Sequence, residues 1–116
     1  MSKKNVIIEK ANSIIKLELE EIIYIEKVGR KALVVTENEK ITWYRTVEQL
    51  KDAVDEIFLS CHRSYLLNMD KIVRMEDQAI WMEGGHVVFF GRESYRKALR
   101  IFREYIDSEK NKENDD

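Results

Sequence analysis

The stretch Cys61-His62-Arg63-Ser64-Tyr65-Leu66-Leu67-Asn68-Met69-Asp70-Lys71-Ile72 decides how this chain is read. It sets His, Arg, Ser and Asn between apolar positions on what reads as a strand running from Leu59 to Leu67 into a turn. Those four side chains are hydrogen-bonding groups of the kind that meet phosphates and base edges. Upstream, Thr46-Val47-Glu48-Gln49 fits a capping box, and Val47, Leu50, Val54 and Ile57 then recur at three- and four-residue spacing. That pattern predicts an amphipathic helix over 47–56. Its other face carries Glu48, Lys51, Asp52, Asp55 and Glu56, so it is expected to support a sheet and face away from a polyanion.

The rest of the chain is strand-like. Val6 to Glu9 and Ser13 to Leu17 flank the polar link Lys10-Ala11-Asn12 as a first hairpin. Ile22 to Glu26, Ala32 to Thr36 and Ile41 to Arg45 form a three-strand meander, split by Val28-Gly29-Arg30-Lys31 and Glu37-Asn38-Glu39-Lys40. The consecutive apolar run Ile22 to Ile25 predicts a strand covered on both faces. Ile72 to Glu76, Ala79 to Met82 and Val87 to Phe90 follow, the last two joined through Glu83-Gly84-Gly85-His86. A final helix is expected over 93–106, with Tyr95, Leu99, Phe102 and Ile106 on one stripe and Arg92, Arg96, Arg100 and Arg103 on another.

This order resembles the LytTR family of bacterial DNA-binding domains, from about Ile14 to Ile106. The residues that carry the resemblance are Phe58, His62, Arg63, Ser64, Tyr65, Leu66, Asn68 and Ile72, which match the segment F-x-x-x-H-R-S-Y-L-x-N-x-x-x-I. The Ile22 to Glu26 run and the terminal hairpin support it by their order. The resemblance implies a mainly β, antiparallel multi-sheet domain over 1–106 whose loops and strand ends reach successive major-groove segments of duplex DNA. It points to Arg30 or Lys31, Arg63 and Arg92 as contacts. Arginine's fork suits Arg63 and Arg92 to bases, and Lys31, Arg96 and Ser64 are assigned to phosphates, with His62 beside them. The implied function is a cytoplasmic, sequence-specific transcriptional regulator, two copies of which bind tandem repeats as a dimer on DNA. Many relatives have a serine and a second basic residue around the last arginine. Here Gly91-Arg92-Glu93 removes one phosphate donor and adds a like charge.

Composition bounds the alternatives. A chain of 116 residues holds one domain, with no room for a phosphoacceptor receiver, so the expected reading is a stand-alone regulator, controlled by a separate inhibitory partner. No apolar run approaches the ~20 residues of a membrane span, and no signal-peptide core follows Met1, so the protein is expected not to be membrane-inserted. The net charge of −2 conceals an asymmetry. Asp107 to Asp116 carries −3 and is expected to be a disordered tail, which leaves residues 1–106 at +1, while Arg92 to Arg103 alone carries +4. Cys61, His62 and His86 are too few to make a metal site, Gly84-Gly85 lacks a P-loop's lysine, and neighbours on a strand point apart, so Cys61, His62 and Ser64 do not suggest a catalytic group. Neither an enzyme nor a cofactor is implied.

Competing readings stand beside these. His62 is also readable as a satisfied half-buried histidine, Arg63 as a partner of Glu76 or Asp77, and the arginine stripe as solvated or paired with Glu93, Glu104 and Asp107. Asn68-Met69-Asp70 reads first as an Asx turn. Cys61 is either a buried, inert thiol or, with its pKa lowered by the adjacent basic residues, a redox-sensitive one. The rival function is a protein-partner-binding β module using Trp43, Tyr44 and Trp81. Single-strand binding by stacking is disfavoured, because adjacent Trp43 and Tyr44 must face opposite sides of their strand.

Overall fold

The structure is a computed structural model that describes residues 4–54 and 56–114, with side chains as far as Lys110. Ten strands form three antiparallel sheets: β1 (Asn5–Lys10) and β2 (Ser13–Glu18) make a hairpin. β3 (Ile22–Val28), β4 (Lys31–Thr36), β5 (Lys40–Trp43), β6 (Phe58–His62) and β7 (Tyr65–Asn68) make a five-stranded sheet in the order β5-β4-β3-β7-β6. β8 (Ile72–Glu76), β9 (Ala79–Met82) and β10 (His86–Phe89) make a third sheet. The helices are α1 (Val47–Leu50) and α2 (Arg92–Asn114).

The five-stranded sheet is the middle layer. Ile22, Ile25, Ala32, Val34 and Leu66 pack with the β1–β2 hairpin and α1 on one face. Ile23, Tyr24, Val35, Leu59 and Leu67 pack with the third sheet and α2 on the other. Thus Ile22 to Ile25 are all buried, as a strand covered on both faces requires. They do not alternate one by one, because a bulge puts two residues of β3 opposite one of β4 between Ile22 and Tyr24. It turns Ile23 and Tyr24 to the same face and returns Ile25 to the other.

Three expectations are corrected. The helix over 47–56 is regular only from Val47 to Leu50, capped as expected by the reciprocal Thr46–Gln49 bonds at 3.1 and 2.9 Å. Beyond it the amides of Ala53 and Val54 both turn to the Leu50 carbonyl, and Asp55 lies outside the described residues. Only Val47 and Leu50 are fully buried there, so packing sustains a single turn, and Asp52 and Val54 are weak helix formers. The strand expected over Leu59–Leu67 is instead a hairpin, broken at Arg63-Ser64. Finally, α2, expected over 93–106, runs from Arg92 to Asn114. Propagating an established helix through Glu- and Lys-rich sequence is cheap. Asp115 and Asp116 lie outside the described residues.

Candidate nucleic-acid interface

The β6–β7 turn is built without the residues that usually make one. Neither Arg63 nor Ser64 takes a positive φ, whereas the β8–β9 turn does so at Asp77 and Gln78. The side chain of His62 replaces that signal, its Nδ1 accepting the Ser64 N–H at 3.0 Å. A bulge between Leu59 and His62 gives β6 an extra residue, so Cys61 and His62 do not point apart. Cys61 packs on the cluster shared with α2, and the His62 ring stacks on Phe90 of that same cluster, with centroids 4.8 Å apart and planes at 18°. The ring also meets Tyr65 edge-on at 5.4 Å.

These contacts gather the segments singled out in the sequence. Glu26 pairs with Tyr65, and the Lys27 N–H donates to the Ser64 carbonyl at 2.8 Å, so the Arg63-Ser64 turn lies beside the end of β3. Gly29 (φ +64°) and Arg30 turn the chain there into β4, and Lys31 places its Nζ 5.1 Å from the centre of the exposed Tyr44 ring. On the other flank, Phe90 stacks on His62, while the Cys61 thiol donates to the Ser94 carbonyl at 3.5 Å. Arg92 is therefore held between two residues anchored to the Arg63 hairpin. Arg30, Lys31, Arg63, Arg92 and Arg96 are all exposed. Among the described residues none of them forms an ion pair, and Glu76 pairs with Arg74 at 3.7 Å rather than with Arg63. Nor does the arginine stripe pair with Glu93, Glu104 or Asp107.

The opposite end of the sheet has the opposite charge. A cleft of about 420 Å³ there is lined by Glu20, Glu21, Glu37 and Glu83, with Lys71 at 3.7 Å from Glu83. A polyanion is repelled from that end and attracted to the other.

Four smaller readings resolve. Asn68 is fully buried, its amide donating to the Ile22 carbonyl at 2.8 Å and its Oδ1 accepting from Asp70 N at 3.0 Å, the Asx turn expected of it. Burial pushes the Cys61 thiol up, against smaller lowering effects from a backbone hydrogen bond and Lys97, so the lowered pKa expected of a redox-sensitive thiolate is not found. Burial, followed by Arg63, pulls the His62 imidazole down, favouring the neutral ring. Trp43 is buried and Tyr44 exposed, facing apart as expected. Sequence reading missed Lys27, Arg45 and Lys97, three exposed cations at this end. Only sheet pairing brings Lys27 alongside the Arg63-Ser64 turn, Arg45 follows β5 at the far edge of the same end of the sheet, and Lys97 is placed next to Cys61 only by the docking of α2. Among the described residues no helix is long and apolar enough to cross a membrane, and no three His, Cys, Asp or Glu side chains gather as metal ligands.

Comparison with known proteins agrees with this architecture. Over 68 residues, 58% of the chain, the sequence is 31% identical to the transcriptional regulatory protein NatR of Bacillus subtilis (strain 168), of which it covers 29%; the chain spans less than a third of that relative's length. The fold superimposes on a LytTr DNA-binding domain from Bacillus cereus with a TM-score of 0.73 over 87% of this chain and 97% of that one, at 20% identity. Residues 12–103 match the profile of the LytTr DNA-binding domain, and with four-fifths of its length so matched, the chain belongs to the LytTR family of DNA-binding domains.

Proposed function

We propose that this protein is a sequence-specific, duplex-DNA-binding transcriptional regulator whose basic sheet end enters the major groove. One observation carries the reading: the Arg63-Ser64 turn has the end of β3, which leads into the Arg30-Lys31 turn, on one side and the Phe90–Arg92 junction on the other, with exposed cations that no carboxylate among the described residues pairs. Arg63 and Arg92, on adjacent segments, suit the bases of one groove segment, since a guanidinium fork spans guanine O6 and N7. Arg30 and Lys31 stand two to three strands away, ~10–15 Å at normal strand spacing, about the major groove's width, which suits them to the flanking backbone. Ser64 and Arg96 serve as further phosphate donors. Two copies bind tandem repeats as a dimer assembled on DNA.

Selection of bound fragments from randomised duplex DNA tests this. Enrichment of two similarly oriented repeats is the expected result, and a failure to enrich any duplex overturns it. The second reading, a partner-binding β module or a docking site for a separate inhibitory protein, has its own observation. Val87, 39% exposed, and Phe89, 71% exposed, stand on the outer face of edge strand β10 beside the half-buried Trp81. Charged replacements at Val87 and Phe89 that leave DNA selection intact keep that surface separate from the DNA-binding end.

A further inference from the structure

We propose that His62 is the positioning residue of this interface, a ring that in its neutral form ties the Arg63 turn to the Arg92 junction so that both arginines are presented together. The inference rests on the DNA-binding reading above. Three contacts carry it. Nδ1 accepts the Ser64 N–H at 3.0 Å, which closes the turn around Arg63. One ring face stacks on Phe90 at 4.8 Å, two residues before Arg92. Tyr65, across the hairpin, meets the ring at 5.4 Å. Because Ser64 supplies a backbone N–H, Nδ1 must be unprotonated, so the neutral ring carries its hydrogen on Nε2. Adding a proton at Nδ1 sets two donors against each other and releases the turn.

The surroundings favour the neutral ring. On its own strand it is flanked by Cys61 and Arg63. From β7 it faces Tyr65, whose hydroxyl donates to Glu26 of β3 at 3.3 Å and whose ring neighbours Tyr24. From α2, Lys97 acts on the adjacent Cys61, and Arg92 follows Phe90. Cations dominate this set, and Glu26 is already engaged by Tyr65.

The direction of the pH response separates a positioning role from direct phosphate contact. A histidine that touched phosphate would bind more tightly as it gained a proton, so affinity would rise as pH falls. A positioning ring is competent above the ordinary imidazole pKa of about 6.5, and loses its effect as pH falls through the lowered value of the folded state. The experiment titrates the wild-type protein with a duplex from the selection between pH 8 and 5.5. Wild-type affinity should fall about 2- to 5-fold by pH 5.5, part of the roughly tenfold that one lost hydrogen bond costs once the ring is fully protonated. His62→Asn, whose side-chain oxygen can accept the Ser64 N–H as an Asx turn does, should bind within about threefold of wild type at pH 8 and show a flat profile. His62→Phe keeps the stack without the acceptor and should lose about tenfold at every pH while melting near wild type. Affinity that rises on acidification, or a His62→Phe protein that binds like wild type, overturns the proposal. If no duplex is enriched, the DNA reading fails and the Ser64 amide still decides this one. Its hydrogen exchange, relative to the intrinsic rate, should accelerate in His62→Phe and below the folded pKa, and unchanged protection in both cases overturns the proposal.

Discussion

At the scale of single residues, the division of labour between arginines is the sharpest expectation. Arg63 and Arg92 are exposed and hold no ion pair among the described residues, so removing either leaves no buried group unsatisfied. Arg63→Ala and Arg92→Ala should each weaken specific binding by about 1–3 kcal/mol with little change in melting temperature, while Arg96→Ala should weaken all duplexes alike and lower the salt slope by ~1. Anisotropy titrations on specific and scrambled duplexes at several salt concentrations separate the two classes. An Arg63→Ala protein that keeps its specificity removes the turn from base readout. Cys61 is expected to be inert: half-buried, with its thiol on the Ser94 carbonyl and its pKa raised, it should react with iodoacetamide at pH 7.5 at least ~10-fold more slowly than a free thiol. Rapid labelling of the folded protein would restore the redox reading.

At the scale of elements, α1 shows how little regular helix a structural role needs. Its single turn buries Val47 and Leu50 against the sheet face opposite the third sheet, and Glu48 pairs with Lys51 at 3.3 Å on the exposed side. Leu50→Ala should therefore cost about 2–5 kcal/mol, as a large-to-small change in a packed core, whereas Glu48→Ala should change neither stability nor DNA affinity appreciably. Chemical denaturation of both variants decides the matter, and a Leu50→Ala protein as stable as its parent would place this turn outside the core. Periodicity showed which residues of 47–57 turn inward but overstated the helix, because spacing records facing and not how many turns packing sustains.

At the scale of the whole molecule, charge is segregated along the strands of the central sheet, with cations at the β3–β4 and β6–β7 turns and carboxylates around the cleft at the other strand ends. The acidic end of α2 lies on the order of 20 Å along the helix from Arg92, beyond a Debye length at physiological salt. Ending the chain after Ile106, which removes a net −3, should therefore leave DNA affinity unchanged at 0.15 M salt and raise it about 2- to 5-fold at 0.02 M. Equal binding at both salt concentrations would mean that the acidic segment exerts no field on the interface. A large gain at 0.15 M would mean that it lies against the interface.

What the sequence determined by itself was mostly local: the first hairpin, the meander, the doubly covered Ile22–Ile25 strand, the capping box at Thr46, the Asx turn at Asn68 and the motif that marks the family. Each depends on neighbours within a few residues, or on whether a face is apolar. Tertiary structure decided the rest. The Arg63-Ser64 turn was illegible because its closing signal is a histidine side chain rather than a glycine or an asparagine. The shared face of Cys61 and His62 follows from a bulge, and bulges depend on the pairing partner. Lys27, Arg45 and Lys97 join the candidate interface only through sheet order and helix docking. A cation's role depends on what stands beside it, and residues far apart in the chain become neighbours only when strands pair and a core closes over them.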